Sequence, residues 1–141
     1  MVMISVFLFC IFVFMQNRAL QLKERYVQLI DKHLDDLVNG KVEIMFEIKD
    51  FAEQMAVHPT HLSNTIKEIT GTSPCGIYQK KLMKVTEILL ADGNNSIYDI
   101  ARILTFEPSQ FTKWFKRFFG ITPREYRKQL KQLNSFNLRM E

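Results

Sequence analysis

A chain of 141 residues with a formal net charge of +4 and 47% hydrophobic residues can bury a core, which excludes a largely disordered polypeptide. Its length favours one compact domain with short extensions over several domains. Twelve Phe and seven Met against five Gly and four Pro leave few turn formers and favour helices over a meander of short strands, while the mild basicity permits nucleic acid without requiring it.

Residues 1–15 form an apolar segment, almost unbroken from Val2 to Met15 and followed by Gln16-Asn17-Arg18. It is short for a bilayer span, which needs about 20 apolar residues and at least about 17. It also lacks the basic start and the small-residue cleavage site of a secretory signal. Two readings stay open: the remnant of a span whose upstream part is absent, or a start codon placed too early. Under the first, Arg18, Lys23 and Arg25 would lie on the cytoplasmic side. The two cysteines, Cys10 and Cys75, stand in no CxxC or Cys/His cluster, so zinc ligation and a disulfide framework are both unsupported.

Residues 16–40 read as an N-terminal helix. Tyr26, Leu29, Ile30, Leu34 and Leu37 recur at helical spacing from Leu22 to Val38, and Asn39-Gly40 closes the run. Residues 41–73 form a first helix–turn–helix. Ile48, Phe51, Ala52 and Met55 follow the i, i+3, i+4, i+7 rule, and Pro59 sits where a first helical position accepts proline. The second helix buries Leu62, Ile66 and Ile69 and stops at Gly71, a left-handed cap. Residues 74–92 are a linker helix with Ile77, Leu82, Val85, Ile88 and Leu89 on its apolar side. Residues 93–133 hold a second helix–turn–helix and a basic C-terminal helix that carries Tyr126 and Leu130 inward, and 134–141 are a tail.

The second unit repeats the first at a shift of 49 positions with no gap. Ile97, Ile100, Ala101 and Leu104 fall on Ile48, Phe51, Ala52 and Met55. Pro108, Phe111, Phe115, Gly120 and Pro123 fall on Pro59, Leu62, Ile66, Gly71 and Pro74. Ser96 with Asp99 makes a capping-box start, and Phe111, Phe115 and Phe118 face the core. The expected fold is all-α: two helix-turn-helix subdomains, homeodomain-like, joined by a long linker helix.

A helix fits the major groove, where each base pair shows its own donor and acceptor pattern. With the apolar stripes inward, the first unit presents Thr60, Asn64 and Lys67, flanked by His61 and Ser63. The second presents Ser109, Lys113 and Lys116, flanked by Gln110 and Arg117. Asn64 to adenine and Lys113 to guanine are the best candidates for base reading. Arg124, Arg127 and Lys128 are expected to contact phosphates, and the more basic second unit to carry most of that attraction.

Glu47 to Arg127 resembles the DNA-binding domain of the AraC/XylS family. The strongest signature is Phe106-Glu-Pro-Ser-Gln-Phe-Thr-Lys-Trp-Phe-Lys-Arg-Phe-Phe-Gly-Ile-Thr-Pro-Arg-Glu-Tyr-Arg127, supported by Ile97-x-x-Ile100-Ala101 and by Leu62-Ser-Asn-Thr-Ile-Lys-Glu-Ile-Thr-Gly-Thr-Ser-Pro74. The resemblance implies a regulator that binds double-stranded DNA across successive major grooves and activates promoters through RNA polymerase. Two departures stand out. Thr105 occupies a position where the family usually has Gly, and the second unit lacks the extra turn residue usual there.

Other functions fit less well. His58 and His61 lack a third metal ligand, His33 reads as a solvent-side residue, and Trp114 reads as core packing. No carboxylate pair sits in an apolar setting suited to catalysis and no Gly-rich phosphate loop is present, so neither an enzyme nor a cofactor is expected. No small-molecule pocket is evident in the roughly forty residues before the first unit. The alternatives are the output domain of a larger membrane-anchored or two-component sensor, tethered through residues 1–15, and a helical protein-interaction module. The polar faces of Asn64, Lys113 and Lys116 speak against the last. The protein is expected in the cytoplasm at the nucleoid, with a membrane tether as the variant.

Overall fold

Seven α-helices and no strand occupy the described residues, 2–140, of the computed structural model: α1 (Val2–Val38), α2 (Ile48–Gln54), α3 (Pro59–Thr70), α4 (Pro74–Asp92), α5 (Ile97–Ile103), α6 (Pro108–Phe119) and α7 (Pro123–Met140). Met1 and Glu141, the outer ends of the apolar segment and of the tail, lie outside the described residues. The fold is all-α, with α2–α3 and α5–α6 as its two helix-turn-helix units. They belong to two compact bodies where length alone suggested one: residues 1–33 with 46–80, and residues 34–45 with 81–141.

Local chemistry explains where each helix starts and stops. Pro59 and Pro108 open α3 and α6, and both helices end on left-handed glycines, Gly71 and Gly120, a backbone that costs glycine no Cβ clash. Ser73 Oγ accepts from the Gly76 amide (3.1 Å) at the start of α4. At the start of α7 the Glu125 carboxylate accepts from the Thr122 amide (2.8 Å), while Thr122 Oγ1 accepts from the Glu125 amide (3.3 Å). Ser96 and Asp99 make the same reciprocal bonds at the start of α5. These satisfy amides that a helix start leaves without partners.

In the first body Tyr26 and Ile30 of α1, Phe51, Ala52 and Met55 of α2, Leu62 and Ile66 of α3 and Tyr78 of α4 are buried. Tyr26 meets Phe51 edge to face at 5.5 Å, and its hydroxyl donates to Pro74 O (2.9 Å), fixing the first turn of α4. Arg25 donates to Gln54 O (3.2 Å) and Met55 O (3.4 Å), satisfying carbonyls at the end of α2. His33 corrects the sequence expectation, being 3% exposed. Its ring stacks on Phe46 at 4.0 Å and its Nε2 accepts from the Phe46 amide (3.1 Å). The loop before α2 folds back over α1, which no periodicity within α1 announces.

In the second body Leu34, Leu37, Leu82, Leu90, Ile100, Ala101, Leu104, Phe111 and Phe115 are buried. Side chains such as Phe111 and Phe115, at 0% exposure, each contribute about 1.5–3 kcal/mol of burial. Phe118 differs from expectation: it is 41% exposed, and its neighbour Phe119 turns inward instead. Tyr126 of α7 explains the exchange, packing against Phe115 and Phe119 at 5.5 and 5.6 Å. Ile88 is likewise exposed, because it lies about 120° around α4 from Leu82. Thr86 fills the buried stripe, its hydroxyl bonded to Leu82 O (2.8 Å). Two helices run past their expected ends. α1 continues unbroken from the apolar segment into the core, and α7 extends through 134–140.

Candidate nucleic-acid interface

The turn of each unit sets the angle at which its second helix leaves the first. Met55-Ala56-Val57-His58 and Leu104-Thr105-Phe106-Glu107 have equal length, with Ala56 (φ 53) and Thr105 (φ 59) left-handed. In the first, Ala56 N donates to Glu53 O (3.0 Å) and Val57 N to Ala52 O (3.0 Å). In the second, Thr105 N donates to Arg102 O (2.9 Å) and Phe106 N to Ala101 O (2.8 Å). Both are the paired 5→2 and 6→1 bonds of a helix C-terminus closed by a left-handed residue. The glycine expected at 105 by family habit is therefore a backbone requirement that Thr105 meets under strain.

Inward stripes orient the outward faces. In α3 Leu62, Thr65 and Ile66 are buried, so Thr60, His61, Asn64 and Lys67 are exposed and Ser63 half-buried. In α6 Phe111 and Phe115 are buried, and Ser109, Gln110, Lys113, Lys116 and Arg117 are all exposed. Trp114 is half-buried, 5.2 Å from Phe106 and 5.6 Å from Phe118. Within each helix the structure thus gathers the sequence-derived residues on one solvent face, Ser63 at its margin.

The basic residues after α6 divide. Arg124 and Lys128 are exposed on α7. Arg127, expected at phosphates, donates from Nε to Leu90 O (3.2 Å) and from Nη2 to Asn95 O (2.8 Å). It closes the end of α4 onto α7 with two of the guanidinium's five donors. Beside it Tyr126 donates to Glu87 Oε1 (3.1 Å). Glu125 keeps its negative charge at the start of α7. Bonds from the Thr122 amide, then the Thr122 hydroxyl, hold its carboxyl below the ordinary range.

Glu68, which with Asp50 and Glu53 makes the first unit the less basic of the two, is exposed at the position equivalent to Arg117. His58, considered in the sequence as a metal ligand, instead caps α3, its Nδ1 accepting from the Thr60 amide (3.3 Å). Among the described residues no three His, Cys, Asp or Glu side chains converge as metal ligands would.

Comparison with known proteins agrees with this geometry. The family described as "Helix-turn-helix domain" matches residues 51–129, more than half of the chain. The HTH-type transcriptional regulator YisR of Bacillus subtilis (strain 168) is 29% identical over 118 residues, covering 81% of this chain. The chain spans 40% of that relative's length. The C-terminal domain of AraT, a response regulator from Geobacillus stearothermophilus, superposes with a TM-score of 0.66 at 27% identity, over 77% of this chain and 84% of that one. A transcriptional regulator of Chromobacterium violaceum, described by its AraC-type DNA-binding domain, gives 0.57 at 26% identity over 74% and 95%. The chain belongs to the AraC-type helix-turn-helix family, whose members are DNA-binding transcription regulators and not enzymes.

Proposed function

We propose that this chain is the DNA-reading part of a transcription regulator, with α3 and α6 entering successive major grooves. The observation that carries the reading is the repeated geometry: two helices braced by identical turns, each with a polar face outward over a buried apolar stripe. Thr60, Asn64 and Lys67 on α3, and Ser109, Gln110, Lys113 and Lys116 on α6, are assigned to the groove, with His61, Ser63 and Arg117 at its margins. These side chains supply the donors and acceptors that base edges and phosphates require. Arg124 and Lys128 take phosphate contacts, and Arg127 holds α7 in place.

RNA polymerase is the proposed protein partner and the cytoplasm the place of action. The apolar start of α1 favours a variant of this reading, in which the chain is the output end of a membrane-tethered regulator.

The test is selection of bound duplexes from a random pool with the whole chain in mild detergent, followed by affinity against salt. Residues before 40 are retained, because Tyr26, Ile30 and Leu34 belong to the core. Two enriched blocks about one helical turn apart support paired groove reading. Salt-sensitive binding with no enriched block refutes sequence reading by these faces, and absence of binding at low salt removes DNA as the partner.

A further inference from the structure

We propose that the first part of α1, from residue 3 to about residue 17, spans a lipid bilayer as an anchor, with Arg18 at the cytoplasmic face. The inference rests on the tethered form of the DNA-binding reading and adds the occupant, the topology and the distance at which DNA would be held.

The apolar side chains of this segment are all exposed, from Met3 at 86% to Ile11 at 40%. They also surround the helix. Taking Met3 as zero, Phe7, Ile11, Phe12, Phe9 and Val13 fall at about 40°, 80°, 180°, 240° and 280°, and polar residues are confined to Ser5 near one end and to Gln16 and Asn17 at the other. A second copy of the chain covers a stripe of a helix, whereas lipid covers its whole circumference. That distinction favours the bilayer over a paired helix.

Length and charge agree. The apolar run ends at Met15, but α1 does not break there. An 18-residue window with at most two charged residues lies within Met3–Val38, none of it buried. The fifteen residues from Met3 to Asn17 reach about 22 Å, and the eighteen from Met3 to Leu20 about 27 Å, with the Arg18 side chain reaching out to the headgroups at the edge of a hydrocarbon core of about 30 Å. Arg18 stands over the Phe14 ring at 5.6 Å from its centre, an arrangement suited to the boundary between hydrocarbon and headgroups. Lys23 and Arg25 follow on the same side, as cytoplasmic flanks do. A cleaved secretory signal fits poorly, because the same helix continues into the core at Tyr26 and Ile30.

One consequence is specific to this chain. Seven residues of continuous helix separate Arg18 from Tyr26, a rise of about 12 Å over the eight steps, so the first DNA-reading unit is held close to the membrane surface rather than on a long flexible leash.

The two exposed cysteines supply the test, since Cys10 lies within the proposed span and Cys75 at the start of α4. The full chain, added from detergent to preformed vesicles of phosphatidylethanolamine and phosphatidylglycerol, is treated with a charged maleimide before and after solubilisation. The expected result is a chain that stays with vesicles through an alkaline carbonate wash. Cys75 then labels at once, and Cys10 labels at least tenfold more slowly until detergent is added. A variant carrying both Phe9→Lys and Phe12→Lys moves to the soluble fraction and still binds the selected duplex. Recovery of the wild-type chain in the carbonate supernatant overturns the proposal, whether Cys10 is reactive or is shielded in a soluble oligomer. Equal labelling of both cysteines in vesicles overturns it too. Loss of duplex selection with vesicle retention intact would refute the DNA reading and leave the span standing.

Discussion

Ala56 and Thr105, 49 residues apart in the chain, hold the same left-handed backbone with φ of 53° and 59°. Each closes the first helix of its unit with the same two amide bonds. Alanine carries this conformation at modest cost, whereas a β-branched side chain there is a true outlier. Thr105 is exposed, so little packing is lost on its removal. Thr105→Gly is expected to stabilise the second body by about 1 kcal/mol, after subtracting the extra chain entropy of glycine. Thermal unfolding followed by circular dichroism checks it, and a lower midpoint would contradict the strain argument. Ala56→Gly should be nearly neutral.

Lys113 and Lys128 are both exposed lysines of the second body, but they lie on different helices and are assigned different work. Lys113 projects from the face of α6 opposite Phe111 and Phe115, and Lys128 from α7. Lys113→Ala should weaken binding to the selected duplex about ten- to a hundredfold and random DNA far less, the range of a lost bidentate base contact. Lys128→Ala should weaken both equally and lower the salt slope by about 0.9. Equal losses on both DNAs for Lys113→Ala would remove it from base reading.

Much of this architecture is legible in the sequence because proline, glycine and serine act locally. Pro59, Gly71 and Ser73, repeated as Pro108, Gly120 and Thr122, mark helix ends through backbone sterics and capping bonds that neighbours in sequence supply. The outward faces of α3 and α6 follow from the inward stripes. Side chains whose partners come from distant segments are not legible in this way. His33 looks like a solvent residue until the loop at Phe46 covers it, and Phe118 yields its place to Phe119 because Tyr126 approaches from one side. Arg127 has the composition of a phosphate contact, and only the nearness of Leu90 O and Asn95 O reveals its use.

Glu68 and Arg117 occupy equivalent exposed positions in the two units, with opposite charge. A carboxylate near the phosphate backbone opposes binding and releases no counterion, so it subtracts from the attraction of Lys67 one residue earlier. Glu68→Gln is therefore expected to raise affinity for specific and random duplexes alike by about threefold at ~0.1 M salt, with the gain shrinking as salt rises. Fluorescence anisotropy against salt measures this. An unchanged affinity at low salt would place the exposed face of α3 away from the DNA.

Arg127 should report on stability rather than on salt. Its two bonds to Leu90 O and Asn95 O are charge-assisted, and their loss leaves carbonyls at the end of α4 with poorer partners. Arg127→Ala is expected to cost about 1–3 kcal/mol of stability and to leave the salt slope of binding unchanged for the folded fraction. A stable variant whose slope falls by about 0.9 would restore Arg127 to the phosphate contacts.

Acid should weaken the second body through two helix starts. Asp99 is held below its ordinary range by the Ser96 hydroxyl and then the Ser96 amide. Glu125 is held down by the Thr122 amide and then the Thr122 hydroxyl. A carboxyl whose folded value is depressed binds its proton more readily in the unfolded chain. Its contribution is thus complete above the unfolded value, about 4, and is lost as pH falls through the folded one. The unfolding midpoint should therefore decline between about pH 5 and pH 3. The decline should be shallower when Asp99→Asn and Glu125→Gln are combined, because amides keep an acceptor for the cap without titrating. Identical pH slopes for the two proteins would show that the acid sensitivity arises elsewhere than at the starts of α5 and α7.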